Sequence, residues 1–320
     1  MKYILKRIIL FLITAWAALT LNFFLPRLMP GNPAQVMIAK FQGRLSPESL
    51  YALEEAFGIG VEKNMFLQYT DYIKNMITGN FGISITFYPT SVSEVLSQSI
   101  PWTIGLVGIS TIISFAVGTF LGISTAWKRD SALSSVSVPV WLFLRSMPYF
   151  WFALLIQFVF SFLLGWFPLG GAFAKPSFVS ILYHSILPAF TIIITSIGGW
   201  ILTMRNNMIS VLADDYVSFA KAVGMPENVV KYDYAARNAV LPSFTAFAMS
   251  LGFIISGSLL TEIVFSYPGI GFMLYQSVLN LDYPLMQAIF LFITIAVLIA
   301  NFIADLTYVF LDPRVRAGAE

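Results

Sequence analysis

From Pro101 to Trp127 the chain reads PWTIGLVGISTIISFAVGTFLGISTAW, an apolar run without a charged side chain. Crossing the ~30 Å hydrocarbon core of a bilayer takes about 20 apolar residues in helical form, so this run is long enough. Runs of the same order recur at Ile8 to Leu28, Val136 to Leu164, Ile186 to Met204, Phe244 to Phe265 and Pro284 to Phe310. Hydrophobic residues make up 58% of the chain and charged ones 11%, and the mean hydropathy is +0.80. That leaves too little polar surface to cover a soluble globule. The expected fold class is an all-α polytopic membrane protein with six transmembrane helices, the fourth diluted by Thr195, Ser196 and Thr203.

The first run follows Lys2, Lys6 and Arg7, as a secretory signal would. It is too long for a signal core, and Pro30-Gly31-Asn32-Pro33 follows in place of a small-x-small cleavage site. Residues 1–28 are therefore expected to stay as the first transmembrane helix. With the N-terminus inside, Lys128, Arg129, Arg205, Lys221, Lys231, Arg237, Arg314 and Arg316 also fall inside, while Lys40, Arg44, Lys63 and Lys74 share one long outer loop where the positive-inside rule counts little. Both termini are expected in the cytoplasm of a multi-pass cell-membrane protein. The formal net charge of +2 is then a topology signal and no argument for nucleic acid.

Covalent chemistry finds no footing. There is no cysteine, so neither a disulfide framework nor a thiolate metal site is possible. His184, the only histidine, is read in an outer loop without a second ligand, and no metal site is expected. Neither Gly-x-x-x-x-Gly-Lys-Ser/Thr nor Gly-x-Ser-x-Gly occurs, so no phosphate-cradling loop or nucleophile elbow is present. No catalytic residue is expected.

Residues 29–99 read as an extracytoplasmic loop domain and 100–320 as a membrane core. Ser46-Pro47-Glu48 caps a helix, LYALEEAF, that ends at Gly58. Asn64 opens a second, MFLQYTDYIKNMIT, closed by Gly79, with Phe66, Tyr69, Ile73, Met76 and Ile77 at helical spacing. Ser91 and Glu94 form a capping box before the second span. The segment is either a lid on the helix ends or a docking platform for an external protein.

Between the fourth and fifth runs lies the polar stretch Arg205 to Val240, RNNMISVLADDYVSFAKAVGMPENVVKYDYAARNAV. Asp214 and Asp215 stand where carboxylates favour the positive end of a helix dipole. YVSFAKAV then runs to Gly224, a left-handed terminator. Pro226 restarts a helix through about Asn238, and Leu241-Pro242 marks the start of the fifth span. Small Ala220, Ala222 and Gly224 give a smooth surface that fits another protein's groove. The plainer reading is a surface helix tethering two spans.

The pattern Ala220-x-x-x-Gly224 followed by Leu241-Pro242 resembles the EAA loop, here at 205–242, of the membrane subunits of bacterial and archaeal ABC importers. Ser218 stands at the family glutamate, Phe219 at the first alanine, and the spacing to Leu241-Pro242 is longer; all three resemble the dipeptide, oligopeptide and nickel permeases. Phe24 through Ala34, Gly79-Asn80-Phe81-Gly82, Ser146-Met147-Pro148-Tyr149-Phe150-Trp151, Glu262 through Gly271, Asp282-Tyr283-Pro284 and Asp305 through Arg314 are similar to that subgroup's motifs in order. The long outer loop resembles the B-type member of its permease pair.

The resemblance implies a second homologous permease, two cytoplasmic ATPase subunits that bind ATP and Mg, and an extracytoplasmic substrate-binding protein. It implies coupling helices that meet an ATPase through Asp214, Asp215, Ser218, Phe219, Ala220, Lys221, Ala222, Gly224, Met225, Pro226 and Glu227. Transport is then alternating access, with short peptides as the expected substrate. Short oligosaccharides are the alternative, and nickel chelates follow, since one histidine and no cysteine offer no relay of ligands. A secondary carrier would need intramembrane acids or an inverted repeat. Arg145 is the charge deepest in a run and stands where the family has an apolar residue. It either pairs with Asp305 or a backbone carbonyl, or lines the pathway, where it would favour a peptide carboxylate.

Overall fold

A backbone in lipid must satisfy its own hydrogen bonds, which selects helices or closed barrels. The computed structural model describes residues 2–31, 33, 36, 64–252, 254 and 259–311, and chooses helices. Among the described residues the nearest thing to a sheet is an isolated antiparallel bridge between Ile83 and Ser91. In chain order the helices are α1 (Lys2–Leu28), α2 (Met65–Thr78), α3 (Val92–Trp127), α4 (Ala132–Ser146), α5 (Tyr149–Ile156) and α6 (Phe178–Val211). They continue as α7 (Asp215–Ala222), α8 (Glu227–Val229), α9 (Arg237–Gly252), α10 (Leu259–Val264), α11 (Ile270–Leu279) and α12 (Tyr283–Leu311). Two stretches are wound wider, as π-helix: Gln157–Leu163 after α5 and Val230–Ala236 between α8 and α9.

Among the described residues four helices are long and apolar enough to cross a membrane, over Ile8–Leu28, Val92–Trp127, Phe178–Val211 and Tyr283–Phe302. The expected third span is broken: Ser134–Ser146 and Tyr149–Leu163 meet at 98° and make a fifth only if counted together. Pro148 is the cause. A residue before proline is pushed out of the α region, and Met147 is extended at φ −75°, ψ 138°. The expected fifth span, 244–265, falls on α9 and α10, with residues 253 and 255–258 outside those described. The helix expected at 50–57 lies outside them as well. Ser177 accepts from the Ser180 amide and starts α6 earlier than its apolar run. His184 therefore sits in a helix rather than a loop, its Nδ1 2.8 Å from the Ser180 carbonyl of the same helix.

The chain divides into two compact units, residues 1–103 with 268–320, and residues 104–267. In the first, α1 packs along α12 and carries α2 on its side. Phe23 is wholly buried among Tyr72, Met76 and Leu291, with Tyr69 and Ile73 beside them. The Thr20 and Tyr69 hydroxyls lie 2.7 Å apart. The Asn64 side chain accepts from the Phe66 amide, and Gly79 closes α2 at φ 72°, as its local chemistry dictates. Its inner stripe is Tyr69, Tyr72, Ile73 and Met76; Phe66 and Ile77, expected on that stripe, flank it and are exposed. The Ser91–Glu94 box forms by half. Ser91 Oγ accepts from the Glu94 amide at 3.2 Å, while the Glu94 carboxylate takes the Gln98 amide at 3.3 Å.

A buried carboxylate ties the same unit together. Asp282 Oδ1 accepts from the Leu285 amide at 3.1 Å and so caps α12. Its Oδ2 accepts from the Ser84 hydroxyl at 2.5 Å and the Thr86 amide at 2.8 Å.

The second unit is built on α6. A Cβ at Gly118 of α3 would meet Trp200 Cβ at 2.5 Å, and one at Gly122 would meet the Ile201 carbonyl oxygen at 2.8 Å. On its other side, a Cβ at Gly198 would meet the Trp141 carbonyl oxygen of α4 at 2.7 Å. Backbones approach this closely only where side chains are absent, a common way of packing helices in lipid. Gln157, first of the wide-wound residues, donates to the Leu169 carbonyl at 2.6 Å and the Val264 carbonyl at 2.8 Å.

Candidate functional site

The polar stretch after α6 folds back on the membrane helices of its own unit. Asp214 precedes α7 without a side-chain cap, and its carbonyl accepts from the Val217 amide at 3.1 Å and the Ser218 amide at 3.3 Å. The end of α7 is a Schellman turn: Met225 N–H donates to the Ala220 carbonyl at 3.2 Å and Gly224 N–H to the Lys221 carbonyl at 3.1 Å. Gly224 holds φ 78°, the left-handed conformation that glycine adopts without cost. A Cβ there would meet no atom within 4 Å. The need for glycine is thus conformational; within this chain no close approach adds to it.

Phase along α7 decides which side chains remain outside. Val217 and Ala220 turn inward and are buried with Ile123 and Ala126 of α3, Met204 and Met208 of α6, and Val230, Ala235 and Ala236. Ala220 therefore leaves the smooth outer surface expected of it and packs instead, because it shares the inner face with Val217. The outer face carries Asp214, Asp215, Ser218, Phe219, Lys221, Ala222, Gly224, Met225, Pro226 and Glu227, all exposed. Phe219 is 69% exposed and Val223 59%, an apolar ridge that the described residues leave uncovered.

The second half differs from expectation. Pro226 does restart the helix, with its carbonyl accepting from the Val229 and Val230 amides at 3.0 and 3.1 Å. The helix does not stop near Asn238. It widens over Val230–Ala236 and runs straight into α9, with Pro242 inside. Tyr216 of α7 is held to this helix by the Asn238 amide, which donates to its hydroxyl at 2.8 Å.

Two contacts of the loop, both with Trp127, carry no local signal in the sequence. Trp127, the last residue of α3, donates its indole N–H to Glu227 Oε1 at 2.5 Å. The Lys221 ammonium lies 5.2 Å from the centroid of the same ring.

Arg145 lies in the last turn of α4, at the 98° bend, rather than midway along a continuous span. It is exposed into a cleft of about 290 Å³ lined by Met147, Pro148, Tyr149, Ile192, Thr195, Ser196 and Thr261. Four hydroxyl-bearing residues, Tyr149, Thr195, Ser196 and Thr261, thus share the cleft with a guanidinium that cannot lose its charge. Among the described residues no carboxylate forms an ion pair with it, and the Asp305 side chain lies outside the described part. Among the described residues, too, no three His, Asp or Glu side chains gather into a metal site.

Residues 118–317, from within α3 past the end of α12, match the family described as binding-protein-dependent transport system inner membrane component. The oligopeptide transport system permease protein AppB of Bacillus subtilis (strain 168) is 32% identical over 320 residues, covering 98% of this chain and 99% of the relative. The di/tripeptide transport system permease protein DppB of Pseudomonas aeruginosa (strain UCBPP-PA14) is 32% identical over 337 residues, with 99% of each covered. The oligopeptide transport system permease protein OppB of Haemophilus influenzae is 29% identical over 316 residues, again with 99% of each covered. A helical, multi-pass membrane chain matched from end to end in this way has its family settled: it belongs to the binding-protein-dependent transport system inner membrane components.

Proposed function

We propose that this chain is the membrane-spanning permease subunit of an ATP-driven ABC importer that passes short peptides to the cytoplasm. The end-to-end similarity to permeases of peptide transport systems carries the substrate class. The partners are a second homologous permease, two cytoplasmic ATPases that bind ATP and Mg, and a substrate-binding protein at residues 29–99 on the outer side. Both termini and the 205–242 loop lie in the cytoplasm. The ridge from Asp214 to Glu227, with Phe219 at its crest, docks in an ATPase groove, and Ala220 holds it from within. Closure of the ATPases then shifts the permease between inward- and outward-open states. Arg145 in its hydroxyl-lined cleft faces that pathway.

Reconstitution of the permease pair, ATPases and binding protein in liposomes tests this reading. Wild-type uptake of short peptides should require ATP. Gly224→Val strains the left-handed turn by about 1–2 kcal/mol; the permease should still fold but take up at least tenfold less peptide. Peptide uptake driven by a proton or sodium gradient without ATPases would overturn the assignment, and ATP-driven uptake of oligosaccharides but not peptides would overturn the substrate class. Unchanged uptake by Gly224→Val would remove the loop from the coupling role.

A further inference from the structure

We propose that Trp127 is a positioning residue that clasps the Gly224 turn to the end of α3, and that this clasp, rather than the docking ridge alone, converts ATPase movement into helix movement. The inference rests on the reading of 214–227 as the ATPase-docking ridge. Its basis is geometric. Trp127 touches the loop on both sides of the turn: Lys221 before it, 5.2 Å from the ring centroid, and Glu227 after it, 2.5 Å from the indole nitrogen. Contact spans a hundred positions of sequence and joins two elements that the chain itself does not connect nearby.

The clasp adds to the other ties of α7. Val217 and Ala220 anchor its inner face to the buried cluster and Tyr216 takes a hydrogen bond from Asn238, but none of these contacts reaches the Gly224 turn itself. Beneath the turn lies a groove of about 380 Å³ lined by Trp127, Leu212, Lys221, Met225, Glu227 and Val230, so the turn has room to tilt. An indole is rigid and walls one side of that groove while its N–H fixes the Glu227 carboxylate. Exposed charge contacts of this kind add little to global stability. What they fix is orientation: with the clasp closed, a push on Phe219 and Val223 reaches α3; with it open, the same push tilts α7 into the groove.

The test uses the whole importer in liposomes and reads two rates together, ATP hydrolysis stimulated by loaded binding protein and peptide uptake. Trp127→Phe removes the N–H and keeps an aromatic ring. It should leave the ATPases bound and hydrolysing while uptake per ATP falls about threefold to tenfold, the scale of one coupling contact. Glu227→Ala should lower the ratio similarly, Glu227→Gln less because an acceptor oxygen remains, and the Trp127→Phe/Glu227→Ala pair no further than either alone. An unchanged ratio in Trp127→Phe, or additive losses in the pair, overturns the clasp. If Trp127→Phe fails to assemble, the order of Glu227→Ala and Glu227→Gln decides in the same sense. Failure of the docking reading shows differently: Phe219→Asp would then retain the ATPases at full strength.

Discussion

Arg145 stands where the carbonyls of the last turn of α4 favour a cation, and where the bend opens a cleft lined by Thr195, Ser196 and Thr261. A charge at the centre of a bilayer costs at least ~2.5 kcal/mol on insertion scales, and the cleft gives this one polar neighbours. On the proposed pathway, a peptide with a free C-terminal carboxylate would gain a charge-assisted hydrogen bond from it, worth about 1.5–3 kcal/mol. Arg145→Met should therefore slow uptake of free-acid peptides by about tenfold or more relative to the same peptides amidated, with the complex assembled normally. Equal loss for both peptide forms, in competition uptake assays, would leave Arg145 no part in reading charge.

Among the elements, α2 carries the clearest division of labour. Its inner stripe, Tyr69, Tyr72, Ile73 and Met76, packs on Phe23 of α1, which accounts for its folding. The adjoining flank leaves Phe66 69% and Ile77 76% exposed, which accounts for no packing among the described residues. Replacing Phe66 with aspartate should weaken capture of the loaded binding protein by about fivefold or more, as loss of a central apolar contact does, while the thermal midpoint of the permease in detergent holds. Normal capture would make α2 a lid. The ends of α2 and α7 were legible in the sequence because Asn64, Gly79, Asp214 and Gly224 act on their own neighbours. Pro148 also spoke plainly, yet the apolar run around it suggested one straight span. What local chemistry could not reveal was phase and distance: Ala220 turns inward only because α3 and α6 lie behind it, and nothing near Trp127 in the sequence points to Glu227.

For the whole molecule, membership in the family and the proposed cycle require parts that move and parts that do not. In the unit spanning 104–267, α3, α6 and α4 meet through Gly118, Gly122 and Gly198 with backbone against backbone. Spin labels at Ile109 of α3 and Phe190 of α6, both exposed, should keep one separation with and without nucleotide in the assembled importer. Labels at Phe143 and Phe158, on either side of the 98° bend, should shift by several ångströms, as hinge motion does. A changing α3–α6 distance would show that the unit flexes throughout. The glycine seam has a mechanical meaning: backbones held this close at Gly118, Gly122 and Gly198 have little slack, so they cannot slide without first parting. These three helices form a keel, and in the proposed cycle the passage would open and shut about it at the proline.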